Sequence, residues 1–198
     1  MAKKVGPYVG VTGFMSRTEV SEALAMVPQG STRRLMVGVL ASSKTLAGQH
    51  NKWPGRYPKR EAIASILTND ARALNLVHYS TDRPETLFTQ LVGAHLPMID
   101  AILVDSSGGK GKPFDAVKGA EYLRAARKHP TLGIGIAGGL GPETLHLLDP
   151  LVKEFPELSI DAEGRLRTRM PEDALRLDAM RTYLEDAFPI LAGKSLNN

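Results

Sequence analysis

Cysteine is absent from the 198 residues. That excludes disulfides, thiolate metal sites and a cysteine nucleophile, and it fits a reducing compartment, so a cytoplasmic location is expected. No apolar run approaches the roughly 20 residues of a membrane-spanning helix, so no membrane partner is expected. The opening Met-Ala-Lys-Lys leads into a strand-like segment and lacks a signal-peptide core. Aromatic residues are scarce, at 6% with a single Trp, and neither sign of charge dominates: 25 Lys and Arg stand against 21 Asp and Glu, a formal net charge of +4. So small a surplus is compatible with an anionic substrate, with nucleic acid, or with a plain basic surface. Helix-turn-helix, zinc-finger and P-loop patterns are missing too, so nucleic acid is not the leading expectation.

What is present is the composition of a globular α/β protein, with 42% hydrophobic and 23% charged residues. The length suits one core. There is no linker, low-complexity tract or fixed-period repeat, so residues 1–198 are read as one domain. Apolar strand-like runs alternate with amphipathic segments. Strands are expected at 8–14, 35–41, 76–79, 101–104, 133–137 and 158–160. Helices are expected after Ser16, a candidate N-cap with Glu19 as its capping-box partner, and over 61–74, 84–92, 116–128, from 142 and over 171–184. Continuous apolar strands separated by helices argue for parallel strands with outer helices. The expected fold class is α/β, a (βα) barrel of TIM type. Six βα units are fewer than the eight of a complete barrel, so an open sheet or a shortened barrel is the expected form. A shortened barrel could pair as a homodimer to cover exposed edges.

Chemistry-bearing residues fall at strand ends. Ala101-Ile-Leu-Val104 delivers Asp105 to a loop with Gly108, Gly109, Lys110, Gly111 and Lys112, where glycines let backbone approach a ligand closely. The next apolar run ends in Gly138-Gly139-Leu-Gly-Pro-Glu143, a turn whose backbone N–H groups can meet an anion at a helix start. A carboxyl group at one strand end and a glycine pair at the next point to acid/base chemistry on a small phosphorylated ligand. His78, near the end of the third expected strand, titrates near neutrality and suits proton transfer; a hydrogen-bonded core histidine is the plainer alternative. The segment His50 to Arg60, with Trp53, Arg56 and Tyr57, is basic and aromatic. It reads as a loop over an anionic aromatic substrate, as a stacking surface for single-stranded nucleic acid, or as solvated surface. Asp161 and Glu163 do not make a metal signature, and neither metal nor cofactor is expected.

The run Asp105 through Gly108-Gly109-Lys-Gly111-Lys-Pro-Phe114-Asp115 resembles the signature of the phosphoribosylanthranilate isomerase family. Gly138-Gly139-Leu140-Gly141-Pro142-Glu143 and the strand end Ser159-Ile160-Asp161 extend that resemblance over residues 101–164. It implies a barrel isomerase acting on a phosphorylated aminosugar, with Asp105 as general acid, and with Gly108, Gly109, Gly111, Gly138, Gly139 and Asp161 on the substrate or its phosphate. Two departures stand out. The family's first strand carries a cysteine base in a Cys-Gly-Ile-Thr segment, where this chain has Val9-Gly10-Val11-Thr12. The family's last strand leads to a Ser-Ser-Gly phosphate loop, where this chain has Asp161-Ala162-Glu163-Gly164-Arg165. The expected function is therefore a diverged isomerase in which His78 replaces the base and Arg56, Arg165 or Arg167 helps with the phosphate. A non-catalytic phospholigand-binding barrel and a protein meeting RNA through its basic aromatic loop stand as alternatives.

Overall fold

The computed structural model describes residues 7–12, 17–31, 34–38, 62–68, 73–79, 101–105, 112–169, 172 and 174–193. In chain order these form β1 (Tyr8–Thr12), α1 (Arg17–Ala25), β2 (Arg34–Gly38), β3 (Ala62–Thr68), β4 (Ala73–Tyr79), β5 (Ala101–Asp105) and α2 (Ala116–Ala126). There follow β6 (Gly133–Ala137), a 3₁₀-helix (Pro142–Leu148) running into α3 (Asp149–Glu154), β7 (Ser159–Ala162), a single 3₁₀ turn (Gly164–Leu166) and α4 (Leu177–Leu191). Neighbouring strands pair in sequence order, and β7 returns to pair with β1, closing a seven-stranded ring. The α/β barrel expected from the sequence is thus present in a shortened form.

One strand departs from the expected pattern. β3 pairs antiparallel with both β2 and β4, whereas every other neighbouring pair is parallel. The helix expected over Glu61–Leu74 does not form; β3 and the start of β4 occupy that stretch. Ile63, Ile66 and Leu67 have helical spacing, yet the same residues sit in a short apolar run whose backbone is satisfied by ladders on both sides. Such tertiary pairing overrides weak local periodicity. Only residues 69–72 join β3 to β4, a link far too short for the crossover that a parallel pair requires. Asn69-Asp70 was the available turn signal. The expected helix over 84–92 and the loop 42–59 lie outside the described residues.

The barrel wall separates two environments. Val9 and Val11 of β1, Leu35 of β2, Ile136 of β6, and Ile160 and Ala162 of β7 face the helices and join one buried cluster with Phe114, Leu123, Leu145, Leu151, Phe155 and the apolar side of α4. Gly119 of α2 gives close packing, since a Cβ there would run into the Ile136 side chain. Alternation along each strand then turns the intervening residues, Tyr8, Gly10, Leu103, Gly135, Ser159 and Asp161, into the lumen. α2 starts where expected: Asp115 Oδ1 accepts the Lys118 N–H at 3.0 Å, a side-chain N-cap. α4 spans Leu177–Leu191, later than the expected 171–184; it packs on the first 3₁₀-helix and on β1.

Candidate functional site

Three parallel neighbours, β5, β6 and β7, set the geometry of the barrel mouth. Asp105 ends β5 and pairs with Ala137 at the end of β6, while Asp161 of β7 pairs with Gly10 of β1. Both carboxylates belong to the lumen side. They flank the small side chain of Ala137 with one strand between them, a backbone separation of about 10 Å from the usual strand spacing. Both are buried, with 6% of Asp105 and 4% of Asp161 exposed. Gly10 is required beside Asp161: a Cβ there would collide with the Asp161 carboxylate and come within 3.0 Å of the Ile160 carbonyl oxygen. Asp105, Gly138 and Asp161 therefore share one end of the barrel, the end at which parallel strands finish.

The glycine turn after β6 is tightly made. Gly138 has φ of 98° and Gly139 has φ of 72°, both in the left-handed region that glycine tolerates. A Cβ on Gly139 would lie 2.9 Å from Phe114 N and 3.0 Å from Pro113 C, so the segment entering α2 runs directly over this turn. Thr144 holds the turn from the following helix. Its Oγ1 accepts the Gly141 N–H at 2.9 Å and lies 2.9 Å from the Gly139 carbonyl oxygen, to which it can donate. The expected helix opens as a 3₁₀-helix, and the Gly141 N–H is already occupied by Thr144. A cation sits beside the turn. The Arg165 side chain packs on Gly141, with its Cδ 3.0 Å from where a Cβ would stand, and its Nη1 is 3.9 Å from Glu143 Oε2. Both side chains of that loose pair are partly solvent-exposed, so it is a weak ion pair.

Beneath the carboxylates lies a tyrosine that the sequence reading did not single out. Tyr8 is 1% exposed, and its hydroxyl has no hydrogen-bond partner among the described residues. The phenol crosses the lumen to Gly135, the residue two below Ala137 on the same face of β6, and a Cβ there would strike the hydroxyl. Burial pushes the Tyr8 ionisation far above the usual phenol range, and the negative charge of Asp161 adds to the shift. The Tyr183 hydroxyl on α4 is likewise buried and without a partner among the described residues, and its ionisation is raised by burial first, then by Asp161 and by Tyr8. Tyr8 was legible only as an apolar strand residue; nothing in the local sequence distinguishes a lumen tyrosine from a core one.

The remaining sequence candidates divide as follows. The β4 backbone places His78 opposite Leu103 on one side and Ala62 on the other, one pair below the end of β4; its side chain lies outside the described set. Gly108, Gly109, Gly111 and Arg56 lie outside the described residues. Val9, the position of the family's cysteine in the motif match, belongs to the buried cluster on the helix side of the wall. Arg167 is buried, with 9% exposed. Among the described residues, no group of three or more His, Asp or Glu side chains is placed to hold a metal ion, and no helix is long and apolar enough to cross a membrane.

Carboxylates and a glycine turn gathered where parallel strands end define an α/β-barrel protein with a candidate strand-end site. Among solved structures, the chain is similar to the crystal structure of phosphoribosyl anthranilate isomerase from Thermus thermophilus. The two share 14% identity and a TM-score of 0.46 over 94% of this chain and 98% of that one. No protein-family model matches the chain, and no curated protein matches it.

Proposed function

We propose that this barrel acts on a phosphorylated aminosugar by acid/base proton transfer, as a diverged isomerase of the phosphoribosylanthranilate type. The observation that carries the reading is the meeting of Asp105, the Gly138-Gly139 turn, Arg165 and Asp161 at one barrel mouth. In this reading the phosphate rests against the Gly138-Gly139 backbone with Arg165 as its cation. Asp105 donates a proton to the ring oxygen or nitrogen of the sugar. A second group takes the proton from sugar C2, and His78, one ladder pair below the end of β4, is assigned that role. Gly108, Gly109 and Gly111 follow Asp105 in sequence and would cover the substrate, with Arg56 as a further anion contact.

A second reading has an observation of its own. Val9, at the motif position of the family's base, lies on the helix side of the wall. A protein that kept the anion site without a base would bind a phospholigand and turn nothing over.

One experiment separates the two. Turnover of phosphoribosylanthranilate is followed by fluorescence, and binding of ribose 5-phosphate is measured by calorimetry, for the parent chain, Asp105→Ala and His78→Ala. The isomerase reading expects each substitution to lower turnover by about 10²–10⁴, the usual contribution of one acid or base, with binding retained. Saturable binding without turnover in the parent chain would establish the binding-protein reading instead. Neither binding nor turnover would end both.

A further inference from the structure

A concavity lies at the end of the barrel opposite Asp105 and Asp161. It has a volume of about 340 Å³ and opens between Pro7 before β1, the start of β6 at Gly133 and Ile134, and Leu158 before β7. Its apolar walls include Leu123 at the end of α2, Leu132, and the ring of Phe155. All three are buried, so they form a fixed wall and not a loose surface. A cavity of about 150 Å³ lined by apolar side chains already takes benzene. The larger volume here lies at the lower end of the usual range for small-molecule pockets, roughly 300–1,000 Å³. It suits one or two fused rings.

The charge at the edge of this cavity is specific. Arg127, on the rim, stands over Phe155 with its guanidinium carbon 4.3 Å from the ring centroid. It also donates to the Glu154 carbonyl oxygen. The Glu154 carboxylate is engaged by Arg124 through two bonds of 2.9 and 2.8 Å. Arg127 therefore has no salt bridge of its own among the described residues. A guanidinium has five donors, and one is committed to the Glu154 carbonyl. His129 and Glu157 also line the cavity, but each has an interaction within the protein. Arg127 is thus a cation at this cavity with guanidinium donors beyond its bond to the Glu154 carbonyl oxygen.

We propose that this cavity is a binding site for a small aromatic carboxylate. The ring system packs against Phe155 and Leu132, and the carboxylate accepts hydrogen bonds from Arg127. A planar guanidinium favours a carboxylate geometrically, since two parallel N–H donors match its two oxygens. The site lies at the far end of the barrel and does not depend on the chemistry assigned to Asp105.

The test compares 2-naphthoate with 2-naphthylmethylamine, which shares the ring system and reverses the charge. Binding to the full chain is followed by calorimetry, with chemical shifts locating the site. Saturable binding of 2-naphthoate, at least about tenfold tighter than the amine, is expected. Arg127→Gln should weaken the carboxylate by about tenfold, the scale of one lost charge-assisted hydrogen bond, and should leave the amine unchanged. Leu132→Trp should fill the cavity and abolish binding while keeping a cooperative unfolding transition, and Val117→Ser, exposed at the start of α2 and away from the lining residues, should bind as the parent chain does. Equal affinity for the two compounds, no saturable binding, or insensitivity to Arg127→Gln would each overturn the proposal. So would sedimentation showing this face covered by a second copy of the chain in a dimer that 2-naphthoate does not perturb.

Discussion

The hydroxyl of Tyr8 rests on Gly135, a residue two strands away around the barrel, and the space for it exists only because Gly135 has no side chain. A Cβ at this position would strike the Tyr8 hydroxyl and lie 3.0 Å from Leu103 Cδ1 and 3.2 Å from Tyr8 Cζ. Gly135→Ala should therefore destabilise by about 1–3 kcal/mol, the usual cost of overpacking a filled interior. Urea unfolding measures it. In Tyr8→Phe the atom struck first is gone, so the penalty of Gly135→Ala should fall in that background. A double-mutant cycle with strictly additive effects would show that the two residues do not compete for this space.

The same hydroxyl predicts a gain of stability when it is removed. Tyr8 is buried and its oxygen has no partner among the described residues. A buried donor without a partner costs about 1–3 kcal/mol, while a phenyl ring keeps the packing. Tyr8→Phe alone should stabilise the ligand-free protein by about 1 kcal/mol. A loss of stability in thermal and urea unfolding would contradict the unpartnered state of this oxygen.

Alkaline pH should find the two buried tyrosines. Tyr8 and Tyr183 have ionisations raised above the ordinary phenol value, mainly by burial. The unfolded chain loses these protons near pH 10, whereas the folded chain holds them. The stability linked to their neutral forms is complete below about pH 10 and declines as pH rises above it toward the folded values. Unfolding free energy followed from pH 8 to pH 11.5 should fall at the high end. The fall should shrink in Tyr183→Phe, which has one fewer such proton. An unchanged slope in that variant would remove Tyr183 from the account.

Gly139 links stability to the mouth of the barrel. Its φ of 72° is strained for any L side chain, and a Cβ would meet the backbone of the segment leading into α2. Backbone atoms cannot rotate away as a side-chain tip can. Gly139→Ala should destabilise by about 1–3 kcal/mol and should weaken ribose 5-phosphate binding beyond any loss seen in Gly193→Ala. Gly193 also has a positive φ, of 82°, but has open space around it. Equal effects at the two glycines would mean that backbone strain alone, and not the close approach at the mouth, is responsible.

The sequence was most legible where local rules and tertiary packing agree. Asp105 at a strand end, the helix beginning at Ala116 and the strand Gly133–Ala137 could each be read from a short window, because the apolar run, the helical periodicity and the glycine turn all point the same way. β3 was misread because Ile63, Ile66 and Leu67 satisfy a helical period within a run also short enough for a strand. The choice was made by ladder partners far away in sequence. The last helix, expected over 171–184, begins instead at Leu177 and runs to Leu191. Tyr8 and Gly10 escaped notice for a different reason. Their importance lies in what stands across the lumen, Gly135 for one and Asp161 for the other, and no local pattern encodes an opposite wall.

The reversed direction of β3 has a consequence for the connection before it. β2 ends at Gly38 on the rim that carries Asp105 and Asp161, and β3, running the other way, begins at Ala62 on that same rim, opposite His78. With a parallel β3 the chain would have to travel back to the far end of the barrel before re-entering the wall. Here Gly38 and Ala62 both stand toward the mouth, like two posts on the lip of a cup. Trp53 and Arg56 lie in the sequence between these two posts.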